Sequence, residues 1–71
     1  MVDLKQTKWE YNNTLNRYYN GCNYLIDNPE QFDKYIDNVM EFKEKLDELL
    51  DKIMKEQEVT ENEILGGFSL W

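Results

Sequence analysis

The groups in this chain best suited to chemistry are its carboxylates, one cysteine and five tyrosines. Histidine, the commonest general base, does not occur. The closest acid pairs are Asp47 with Glu48 and Asp33 with Asp37. They alternate with lysines along one long amphipathic pattern, which is how solubilising charges on a helix surface are written. A di-metal bundle would need inward-facing carboxylates joined by histidines, and a zinc site is not expected where there is no histidine and the lone thiol lacks partners. Cys22 has neither a nearby cation nor a helix N-terminus to lower its pKa, so it reads as a small buried hydrophobe. Gly66-Gly67 follows a helical segment instead of a strand, which makes it a helix stop and not a phosphate loop. No catalytic residue, cofactor or metal is therefore expected.

Charge narrows the choice of partner. The chain has 71 residues, a net charge of −7 and no disulfide to staple a small core. Residues 1–27 are balanced, whereas residues 28–58 carry ten acids against five lysines. Such a surface repels phosphate backbones and suits a protein partner better than nucleic acid. The single thiol fits a reducing compartment. No apolar stretch approaches the roughly 18 residues of a membrane span, and the first residues lack signal-peptide character. A cytoplasmic location without membrane contact is the expectation.

The spacing of apolar residues specifies the elements. Leu4, Tyr11, Leu15, Tyr18, Cys22 and Leu25 alternate three and four apart, with Lys8 filling one slot. Asp3 reads as the N-cap and Gln6 as its capping-box partner. Asp27-Asn28-Pro29 breaks the pattern, with Asn28 as the next N-cap and Gln31 as its partner. A second helix to about Gln57 carries the seam Phe32, Tyr35, Val39, Phe42, Leu46, Leu49 and Ile53. Thr60 with Glu63 starts a short third helix that ends at Gly66-Gly67. The expected fold is all-α: one domain, residues 1–71, built on an antiparallel hairpin of helices at about 3–27 and 29–57. A third helix at about 60–66 follows, and residues 58–71 dock on the open end. So short a loop makes the long helices antiparallel neighbours.

More apolar residues are present than one seam uses. Trp9, Tyr19 and Ile26 lie off the first seam, and Ile36, Met40, Leu50 and Met54 lie off the second. In an antiparallel pair these flanks fall on one side and make a second apolar groove, which must be covered. The tail residues Ile64, Leu65, Phe68, Leu70 and Trp71 are placed to fold over Leu50, Met54 and Trp9. The half holding Tyr19, Ile26, Ile36 and Met40 is left for a second copy, giving a four-helix dimer, or for a foreign protein. Tyr19 and Tyr24 are aromatic candidates for recognition.

The terminal Phe68-Ser69-Leu70-Trp71 supplies a hydrophobic residue, a small residue, leucine and an aromatic in order. It resembles the short terminal peptides with which bacterial polymerases and their relatives bind the replication sliding clamp. Gly67 stands where that motif normally opens with glutamine. The resemblance implies a clamp-binding tail. The residues themselves point first to a small acidic protein-binding regulator or inhibitor of a host protein, of the one-gene kind found in phages and mobile elements. A structural homo-oligomer is the second reading.

Overall fold

Residues 3–69 are described by the structure, a computed structural model. Helix α1 spans Leu4–Asp27, α2 spans Phe32–Met54 and α3 spans Glu61–Gly66, with a 3-10 turn at Pro29–Gln31 between the long helices. No strand occurs among the described residues, so the fold is the expected all-α hairpin with a short third helix. The molecule is a rod of 43 × 20 × 17 Å.

Each helix boundary has a local cause. The Asp3 carboxylate accepts from the Gln6 N–H at 3.2 Å, half of the expected box. At Thr60 the box is complete, because Glu63 N–H donates to the Thr60 hydroxyl while the Glu63 carboxylate accepts from Thr60 N–H. Asn28 corrects the sequence reading. Its side-chain amide donates to the Tyr24 carbonyl at 2.9 Å, so it closes α1 and does not cap α2. Proline supplies the start of the next element without it. Helix α2 stops at Met54 and not at Gln57. The residues one turn beyond Ile53 are Glu56 and Gln57, which offer the seam nothing apolar, and the acids there oppose the helix dipole.

The core lies toward the open end of the hairpin. Tyr11 and Leu15 of α1 meet Leu46, Leu49 and Ile53 of α2, and Phe68 closes over them. Ile53 is completely buried, and burial on this scale contributes about 1.5–3 kcal/mol for one such side chain. Toward the loop the seam narrows to Leu25 and Val39. The helices approach closely there: a Cβ on Gly21 would stand 2.9 Å from a Val39 methyl carbon. Phe32, assigned to the seam, is instead 48% exposed. It lines the open cleft with Leu25 and Ile26 near the end of α1, where nothing covers its outer face. Tyr18, Cys22, Tyr35 and Phe42 are half-buried seam residues.

Candidate functional site: an apolar cleft at the loop end

The second groove expected from the sequence runs along one edge of the hairpin, and the two halves of it meet different fates. Its open-end half is filled by the chain itself. Val59, Ile64 and Phe68 come back over α1 and α2, and Leu50 packs against the core below them. Two tyrosines of α1 fix this strap: Tyr11 donates to the Ile64 carbonyl at 2.7 Å and Tyr19 donates to the Leu65 carbonyl at 2.6 Å. Both carbonyls belong to the last turn of α3, which has no helical partners for them. The tyrosines therefore act as a C-cap supplied from another helix. Burial raises the Tyr11 phenol above its ordinary value, and the nearby Tyr19 and Asp47 push it the same way.

Beyond α3 the strap is held at Phe68. The Asn12 side chain accepts from Phe68 N–H and donates to Phe68 C=O. The Phe68 ring stands edge-on to Tyr11 at 5.2 Å, and the Lys8 ammonium lies 5.8 Å from its centroid. Lys8, the residue that interrupts the seam, thus covers the tail ring.

The loop-end half stays open. It is a cleft of about 260 Å³ with Leu25 and Val39 as its floor, Tyr18, Cys22 and Ile26 as one wall, and Phe32, Ile36 and Met40 as the other. Ile26 is 74% exposed and Met40 47% exposed. The polar side-chain atoms on its walls are the Tyr18 hydroxyl and the Cys22 thiol. Partial burial raises the Tyr18 pKa, and the adjacent Cys22 raises it further. The wall residues contain no carboxylate, amine or guanidinium. Among the described residues no three His, Cys, Asp or Glu side chains stand together as metal ligands. Asp33, Asp37, Asp47 and Glu48 face solvent.

Of the residues assigned to the second groove, Ile26, Ile36 and Met40 are brought together in the cleft. Leu50 lies beneath the strap. Tyr19, expected beyond reach of the tail, is reached by α3 and marks the boundary between the two halves. Two assignments need correction. Trp9 precedes Tyr11 by two residues and so points about 160° away from it around α1. It sits 51% exposed beside Asp3, Lys5 and Gln6, not in the groove. Met54 is 54% exposed beside the 55–59 turn, uncovered by the tail. Tyr24 lies on the opposite edge, its ring 5.8 Å from Tyr35 and perpendicular to it. Leu70 and Trp71 lie outside the described residues. Tyr18, Cys22 and Phe32 fit the seam period in the sequence, and the structure adds them to the cleft. The signal available for Phe32 was its place one turn from the loop, where α1 ends at Asp27 and leaves its outer side uncovered. Asn12, which holds the tail, carried no signal beyond its place next to Tyr11.

No helix among the described residues is long and apolar enough to cross a membrane. Comparison with known proteins gives no match: no family model, no curated protein and no solved structure is significantly similar to this chain.

Proposed function

We propose that this chain is a small, acidic, non-catalytic protein-binding module that regulates or inhibits the protein it captures, with the loop-end cleft as its docking surface. The observation that carries this reading is the unequal filling of one groove. The chain covers the open-end half with its own strap and leaves Ile26, Phe32 and Met40 exposed at the other. Isolated exposed apolar residues are ordinary on a monomer, whereas a contiguous cleft of them marks an interaction site. A wall chemistry of aliphatic, methionine and aromatic groups suits packing against a partner and offers no acid–base pair.

Self-assembly through the same cleft is the competing use, and sedimentation equilibrium separates the two. A monomer at tens of micromolar, unchanged by Met40→Glu, supports a surface kept for a foreign partner. A dimer that Met40→Glu dissociates overturns that reading in favour of a structural four-helix assembly. The clamp-peptide reading of the tail draws less support, because its first apolar residue, Phe68, is buried and held by Asn12.

A further inference from the structure

The strap has its hinge on one long helix and its catch on the other. It leaves the hairpin at the C-terminal end of α2, through the turn at 55–58, which is exposed save for Gln57. Val59 packs against the core and pins that end. Among the described residues, every side-chain hydrogen bond between strap and hairpin comes from α1. Tyr11 reaches Ile64, Tyr19 reaches Leu65, and Asn12 holds both polar groups of Phe68. All four bonds end on backbone atoms of the strap.

Between hinge and catch, α3 adds little hold of its own. Its six residues are too few to stay helical alone in water. None of them is fully buried, and Phe68 is the one enclosed side chain of residues 60–68. A hollow of about 110 Å³ remains between Ile64 and Leu65 above and Leu15 and Leu50 below, so the strap does not fill the groove it covers. The Tyr19 bond lies at the surface, where water replaces a lost partner at small net cost. Lifting the strap leaves Tyr11 and Leu15 still packed on Leu46, Leu49 and Ile53.

We propose that residues 60–68 form a latch that opens as one unit from an intact hairpin. Closed, the latch limits the accessible groove to the loop-end cleft. Open, it bares Tyr11, Leu15 and Leu50 and joins them to that cleft through Tyr18, which borders both halves. The latch is a property of the covered half, so it goes beyond the docking reading and stands or falls apart from it.

Native-state hydrogen exchange of the full chain in low urea tests the latch. The reporters are the Ile64, Gly67 and Phe68 amides, bonded to the Thr60 carbonyl, the Glu63 carbonyl and the Asn12 side chain. They are expected to share one opening, at least about tenfold more frequent than that of the Leu15 and Leu46 amides and less dependent on urea. Tyr19→Phe, which removes one surface bond, should raise that opening about two- to tenfold at all three amides. In Asn12→Ala/Tyr19→Phe, with circular dichroism still helical, benzene should gain nuclear Overhauser contacts to the Leu15 and Leu50 methyls. Strap amides that match Leu15 and Leu46 in frequency and urea dependence overturn the latch, as does loss of the helical signal in the double variant, because the strap then belongs to the hairpin's own cooperative unit. Unequal openings, with Phe68 unmoved by Tyr19→Phe, overturn it as piecemeal fraying. Unprotected strap amides overturn the closed state, and a double variant without contacts at Leu15 and Leu50 overturns the joined groove.

Discussion

The carboxamide of Asn12 holds both backbone polar groups of Phe68, accepting from its N–H at 2.7 Å and donating to its carbonyl at 2.8 Å. That pairing decides where the strap ends. It brings Phe68 down onto Tyr11 and fills the open-end half of the groove. Gly67 contributes, because its φ of +93° and the 2.6 Å left between a Cβ and the Asn12 oxygen suit glycine alone.

Removing this clamp should free the tail without melting the hairpin. Two side chain–backbone hydrogen bonds are lost in Asn12→Ala, at about 1 kcal/mol each. Urea unfolding should show a loss of about 1–3 kcal/mol. The nuclear Overhauser contacts between the Phe68 and Tyr11 rings should vanish while the α1 and α2 amide signals persist.

The Tyr11 hydroxyl links stability to alkaline pH. Its pKa in the folded chain is raised above the ordinary 10.0, chiefly by burial. The unfolded chain therefore loses this proton first as pH rises. The stabilisation is fully present below the unfolded value and is lost as pH climbs toward the folded one. Tyr11→Phe should cost about 0.5–1.5 kcal/mol at neutral pH through its bond to Ile64. It should also reduce the fall in stability above pH 10. Tyr18, raised in the same direction, leaves some fall in place.

Core substitutions should sort by end of the hairpin. Ile53→Ala removes a fully buried side chain and should cost about 2–5 kcal/mol, comparable with the whole stability of so small a domain. Phe32→Ala, at a half-exposed cleft position, should cost less than about 1.5 kcal/mol by thermal or urea unfolding.

Gly21→Ala sets helix propensity against space. An alanine in the middle of α1 would ordinarily gain about 1 kcal/mol. Here the new methyl meets a buried Val39 at 2.9 Å, and overpacking of about 1–3 kcal/mol outweighs the gain. Urea unfolding should show net destabilisation, and Gly21→Ala/Val39→Ala should recover part of it.

The hairpin was legible because its signals agree: two seams, a proline between them and a Thr60–Glu63 box all point to the same elements. What escaped the sequence was rotation and reach. Trp9, two residues before Tyr11, counts as apolar surplus in a list of off-seam positions, whereas its offset of about 160° around the helix turns it away from the groove. Tyr19 was judged too far for the tail because length alone does not reveal that α3 folds back along the groove. Asn28 can close one helix or open the next, and its side chain donates to the same Tyr24 carbonyl that already accepts its backbone N–H. Phe32 satisfies the seam period, yet so close to the end of α1 it is only half covered and lines the open cleft with Leu25 and Ile26. The cleft was half legible: Ile26, Ile36 and Met40 were found as surplus, whereas Tyr18, Cys22 and Phe32 were hidden by fitting the seam.

One groove is closed by the strap at the open end and left accessible at the loop end. The most direct measure of this is the nuclear Overhauser contact of a small apolar probe such as benzene with the methyl groups of the full chain. Contacts are predicted to Ile26, Ile36 and the Met40 terminal methyl, and none to Leu15 or Ile64. Contacts confined to Ile64 and Leu15, or no contact at Ile36 and Met40, would contradict the account.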